Sequence, residues 1–192
     1  LFEFVILVKK NNINRDIFVI PFLFIFGIII NQYYGNQGVF PHDSFAHFET
    51  GYRIISGEHP FKNYWIISGP LVDYIQSLFF LILGVNFQSY VIHASIFNGI
   101  LTIFVFLFFR QFGLNKSYSI IYAIFFSILA YPSSGTPFVD HHAAFFSLLG
   151  VLSVISAIHK GNNIFWVLSP IFLICAFLSK QVPSAYVTIA LI

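Results

Sequence analysis

Three places in the sequence combine residue types that can move protons, hold cations or meet anions. The first is Pro41-His42-Asp43-Ser44, with His47 four residues beyond Asp43 and so one helical turn away. The second is Asp140-His141-His142, and the third is Lys180, alone at the end of an apolar run. A carboxylate can take a proton from a hydroxyl, a carboxylate with an imidazole can bind a divalent ion, and an ammonium can meet an anion. Each also has a plain explanation. Asp140 near a helix start offsets the macrodipole by up to about 1 kcal/mol, and Lys180 can extend from a helix end to lipid headgroups. Asp73 reads as a first-turn residue of a helix beginning at Leu71, and Glu49, Glu58 and Lys62 read as solvated loop charges.

The elements that must position these residues are apolar. Of 192 residues, 58% are hydrophobic, 20% aromatic and 8% charged, whereas a globular domain carries about 25% charged residues. Nine basic and seven acidic side chains cannot coat a soluble globule, while a bilayer accepts 27 Phe without a shared core. An all-α polytopic membrane protein is predicted. A net charge of +2 argues against nucleic acid, and the single Cys175 excludes an intramolecular disulfide. The sequence contains no Met and ends within an apolar run, so it reads as the N-terminal part of one transmembrane domain, truncated at both ends.

Apolar runs predict spans at 17–34, 89–109, 118–132, 137–158 and 164–180, with another beginning at 182. The stretch from Leu71 to Gly84 rises only about 21 Å against a hydrocarbon core of about 30 Å, and it carries Asp73 and Gln76. It is predicted to lie at the interface. With that segment uncrossed, Lys9, Lys10, Arg15, Arg110, Lys116 and Lys160 fall inside and only Arg53, Lys62 and Lys180 outside, as the positive-inside rule requires. Residues 35–88 then form one external loop with interfacial helices at 43–56 and 71–84, and the N-terminus is cytoplasmic. In the first helix Phe45, Phe48, Tyr52 and Ile55 share one face, with Asp43, His47 and Thr50 opposite. The aromatic face should rest on the acyl boundary and the polar face should turn to water or a cavity. Gly57 should end this helix and Pro60 prevent its resumption. Thr136 is expected to cap a helix whose first residue is Pro137.

In order and spacing these features resemble the GT-C membrane glycosyltransferases that use polyprenyl-phosphate sugars, in the aminoarabinose transferase and protein O-mannosyltransferase-like branch. The resemblance runs from Ile17 to Ile192. It is carried by Pro41-His42-Asp43, Gly57-Glu58-His59-Pro60, Gly69-Pro70-Leu71-Val72-Asp73-Tyr74, Leu83-Gly84-Val85-Asn86, Phe138-Val139-Asp140 and Leu178-Ser179-Lys180. It implies that Asp43 is catalytic, that Asp140 fills the acidic position of the second loop and that Lys180 lies near the lipid phosphate. Ser44 stands where the family commonly has Glu, and His141-His142 stands where this branch usually has Pro.

The implied activity is inverting transfer of a hexosyl or pentosyl group from a lipid-linked donor to an acceptor hydroxyl or similar group at the external face. A phosphate leaving group is a weak base and needs no general acid, so one carboxylate suffices, and Asp43 is assigned as the base. Arg53, Lys62 and Lys180 are the candidates to meet the departing phosphate, with Asp140 and His47 completing the substrate-binding set. A divalent metal held by Asp140 with His141 or His142 is the alternative, which leaves the cofactor open. The partners implied are the lipid bilayer and the polyprenyl-phosphate donor. The compartment implied is the plasma membrane in a bacterium or the endoplasmic reticulum in a eukaryote. Two other readings are a secondary transporter or flippase and a non-catalytic membrane subunit. A transporter calls for ionisable residues near the midplane and a paired repeat, whereas the acidic residues here cluster at one predicted membrane edge, without an internal repeat.

Overall fold

A computed structural model describes residues 17–38, 45–130, 135–161 and 163–191, and the described residues are helical apart from their connections and an isolated bridge between Pro60 and Tyr64. In chain order the helices are α1 (Val19–Gly35), α2 (Ala46–Ile55), α3 (Leu71–Leu83), α4 (Phe87–Gln111), α5 (Lys116–Ala130), α6 (Val139–Lys160), α7 (Asn163–Ser179) and α8 (Gln181–Leu191). Among the described residues, two stretches are long and apolar enough to cross a bilayer, Phe87–Gln111 and Val139–His159. The helices at the other predicted spans are shorter. α1 and α7 have 17 residues each and α5 has 15, rises of about 22 to 26 Å at 1.5 Å per residue. The chain divides into two compact units, Leu1–Val39 with Val91–Gly135 and Phe40–Tyr90 with Thr136–Ile192.

The first unit is held by small residues and amide side chains. A Cβ on Gly27 would stand 2.8 Å from the Gly99 Cα, so α1 and α4 approach more closely there than larger residues allow. Beside this contact the Asn98 Nδ2 donates to the carbonyls of Gly27 at 3.0 Å and Ser127 at 3.1 Å, tying α4 to both α1 and α5. Leu23, Val105, Phe106 and Ala123 form the buried apolar cluster.

The second unit contains α2 and α3, the helices expected at the interface. α2 lies on α3 at Gly51, where a Cβ would meet the Gln76 Cγ at 2.9 Å. Phe48 stands edge-on to Phe80 at 4.9 Å and to Tyr90 at 5.7 Å. α3 ends at Gly84, whose φ of +82° suits glycine, and Gly57 at φ +91° follows α2. α6 meets α7 where the Ser169 hydroxyl donates to the Gly150 carbonyl at 3.1 Å, and α8 packs against both. The Gly69 amide donates to the Ser179 carbonyl at 3.1 Å, and a Cβ on Gly69 would lie 1.9 Å from the Leu178 carbonyl oxygen, where no side chain fits.

The expected cap at Thr136 is not formed. Phe138, in extended conformation at φ −130° and ψ 140°, is the N-cap of α6 and the helix begins at Val139. The turn that a Thr136 hydroxyl would have capped is therefore absent, and Thr136 is buried without a partner for its Oγ1. Replacing Asn98 tests the first unit. Asn98→Ala should lower stability by about 0.6 to 1.7 kcal/mol, read as a shifted denaturation midpoint in detergent micelles. An unchanged midpoint would show that the amide bonds do not hold α4.

Candidate functional site

Of the two expected surroundings for the polar face of α2, water or a cavity, the described part takes neither and turns onto α3. His47 is buried on α3 with its Nδ1 2.6 Å from the Asp73 Oδ1, and the Thr50 hydroxyl donates to the same oxygen at 2.5 Å. Asp73 is 1% exposed. The physical reason is spacing. His47 and Thr50 stand three apart on α2, and both reach Asp73 in the first turn of α3, whose buried carboxylate they satisfy. Phe45 and Tyr52 remain exposed on the apolar side of α2. Asp73 is indeed in the first turn of α3, but its carboxylate belongs to a buried cluster, which is more than compensation of a dipole.

At the start of α6 the Asp140 carboxylate accepts from the Lys180 ammonium at 2.6 Å, with side chains 56% and 37% exposed. Lys180 occupies the junction between α7 and α8, one residue beyond the Ser179 carbonyl that holds Gly69. His142 is buried, its Nδ1 donating to the Phe138 carbonyl at 2.9 Å, and it lies within electrostatic reach of His47. His141 stands edge-on to Phe138. Asp140, His141 and His142 thus leave the helix start in three directions, as adjacent helical residues must. Among the described residues no three His, Cys, Asp or Glu side chains are grouped to hold a metal ion.

The other cationic candidates are differently placed. Arg53 donates to the Glu49 carboxylate at 2.7 and 3.0 Å and to Glu58 at 3.2 Å, with its guanidinium 5.2 Å from the Tyr64 ring centroid. The hydrogen bond to Glu49 raises its already high pKa further. Arg53 is a clip for the loop after α2, and Glu49 and Glu58 are its partners rather than free loop charges. Lys62 is exposed. The Tyr64 hydroxyl donates to the Thr50 carbonyl at 3.3 Å, and burial followed by the nearby Asp73 charge pushes its pKa up to about 12. Asp43 lies outside the described residues.

Residues 59–192 match the family model of dolichyl-phosphate-mannose-protein mannosyltransferases. The chain belongs to this family. It is a GT-C type glycosyltransferase of the membrane. No curated protein and no solved structure matches it. The stretch shared with the mannosyltransferase family includes Gly69, Asp73, Asp140 and Lys180, while Asp43 and His47 precede it.

Sequence reasoning missed Asp73 as a partner of His47, although two polar pairs at matching spacing on neighbouring amphipathic helices were a usable signal. Tyr64 offers a check on this cluster. Absorbance titration should show one phenol ionising near pH 12, and Tyr64→Phe should remove that component. If Tyr64→Phe removes only a component near pH 10, the burial of this cluster is wrong.

Proposed function

We propose that the protein transfers a sugar from a polyprenyl-phosphate donor to an acceptor hydroxyl at the outer face of the membrane, as a polytopic protein with 35–88 as one external loop. The observation that carries this reading is the pair of Asp140 and Lys180. Exposed ion pairs are worth about 0 to 1 kcal/mol, so Lys180 can leave Asp140 for a phosphate dianion at little cost, gaining a stronger charge-assisted contact. The description of the family names dolichyl-phosphate-mannose as donor and protein as acceptor, which makes that donor the first to assay.

In this reading the acceptor oxygen bonds to the sugar C1 as the C1–O bond to phosphate breaks. Asp43 takes the hydroxyl proton, and the phosphate departs as a dianion met by Lys180. Asp140 acts by holding Lys180 in place before the donor arrives. The arrangement of its neighbours favours this cationic partner over a divalent ion shared with His141 or His142.

Asp43→Asn keeps the shape of the side chain and removes its basicity. Turnover with dolichyl-phosphate mannose should fall by about 10² to 10⁴, while binding of that donor, measured by displacement, persists. Near-normal transfer by the variant would remove Asp43 from the mechanism.

A further inference from the structure

The loop between α2 and α3 is built so that large apolar side chains point away from the protein. Its base is pinned: Pro60 and Ile66 are buried, and the Tyr64 hydroxyl bonds to the Thr50 carbonyl. Its tip is a tight turn. The Phe61 amide donates to the Tyr64 carbonyl at 2.8 Å, the Asn63 amide donates to the His59 carbonyl at 2.9 Å, and the Asn63 Oδ1 accepts from the His59 amide at 3.0 Å. These bonds hold Phe61 at φ +64°, a left-handed conformation that a bulky residue rarely adopts. Backbone strain persists where the surrounding bonds over-determine it, and it concentrates at sites that serve a function. Here the strain does not bury a ring. Phe61 is 53% exposed, its edge-on neighbour Trp65 is 80% exposed, and Ile67 is 97% exposed.

The adjoining helix indicates what the tip faces. α3 buries Asp73, Gln76 and Ser77 and exposes Tyr74, Leu78, Leu81 and Ile82, which recur at i, i+4, i+7 and i+8 and so form one outward stripe. Polar groups inside and aliphatic groups outside suit a helix whose outer solvent is acyl chain rather than water. The tip is attached to that stripe, because the His59 ring stacks on Tyr74 and the Tyr74 hydroxyl lies 3.3 Å from the His59 Nδ1. Trp and other amphipathic rings favour the boundary between headgroups and acyl chains, where the ring leaves water while a polar edge stays wet. A sugar would also stack on an exposed indole. Ile67 favours the lipid, since an aliphatic side chain offers a sugar no ring face but adds apolar area to a membrane contact. Lys62, exposed at the same tip, has a stem that can lie along acyl chains and a charge complementary to lipid phosphate.

We propose that Phe61, Lys62, Trp65 and Ile67 form a lipid-binding tip: the two rings and the isoleucine enter the boundary between headgroups and acyl chains, and the Lys62 ammonium meets lipid phosphates. This attachment does not depend on the transfer reading. Its consequence is positional. Gly69 is four residues beyond Trp65, no more than about 14 Å along an extended chain, so the depth of the tip limits the depth at which α3 meets the end of α7.

Trp65 is its own reporter once Trp166, the other tryptophan of the chain, is replaced. The whole protein carrying Trp166→Phe, in vesicles of phosphatidylcholine with phosphatidylglycerol, should show blue-shifted emission, quenching by lipids brominated high on the acyl chain, and little quenching by added iodide. Lys62→Gln should abolish the rise of bromolipid quenching with the phosphatidylglycerol fraction. A second measurement leaves both tryptophans in place: a nitroxide on Ile67→Cys in a Cys175→Ser background should be more accessible to oxygen than to a nickel chelate. Quenching by iodide without quenching by bromolipid would place Trp65 in water, and the absence of both would place it against another part of the protein. A response to soluble mannose oligosaccharides but not to bromolipid would make Trp65 a sugar platform. Each of these results overturns the proposal, as does a nitroxide at position 67 that favours the nickel chelate.

Discussion

The backbone contact between Gly69 and the end of α7 is the constraint on which the second unit depends. A hydrogen bond of 3.1 Å contributes about 0.5 to 1.5 kcal/mol net, which alone would not fix a helix. The steric side decides the matter: no Cβ can exist 1.9 Å from the Leu178 carbonyl oxygen, so glycine is the residue that lets the two backbones meet. Once they meet, Asp73 stands in the first turn of α3, four residues past Gly69, and Lys180 stands one residue past Ser179. That single approach joins the start of α3 to the end of α7.

The two carboxylates brought into this unit differ in burial, and that difference separates what they can do. Asp73 is almost fully buried, and breaking a buried pair by removing one partner costs about 3 to 5 kcal/mol. It is therefore a fixed element that orients its neighbour. Asp140 is more than half exposed, and its pair with Lys180 is cheap to open. The first pair thus fixes α2 on α3, and the second can open at little cost.

Much of the fold was legible in the sequence because its signals are local. The limits of α3 follow from Pro70 and Gly84, the end of α2 follows from Gly57, and the apolar runs mark the remaining helices. Thr136 misled because a hydroxyl before Pro137 has the pattern of a cap, and only the extended Phe138 shows that the helix starts later. The polar face of α2 was recognised, but its partner was not: the pattern leaves water or a cavity open until a second helix supplies Asp73. The same limit applies to the pairing of Asp140 with Lys180, forty residues apart. The ion pairs of Arg53 were legible as well, since Glu49 stands one turn before it and Glu58 five residues after it.

The central claim is that the loop bearing α2 and α3 and the start of α6 share the outer side of the membrane, with α6 crossing to the inner side. Cysteine accessibility in a Cys175→Ser background measures this most directly, using Lys62→Cys in the first loop and Asn163→Cys between α6 and α7. A membrane-impermeant maleimide added to intact cells or sealed vesicles of known orientation should label position 62 from outside and position 163 only after permeabilisation. Labelling of position 163 from outside, or of position 62 only from inside, would contradict the account, because the external loop and the pair of Asp140 and Lys180 would then no longer serve one reaction at one face.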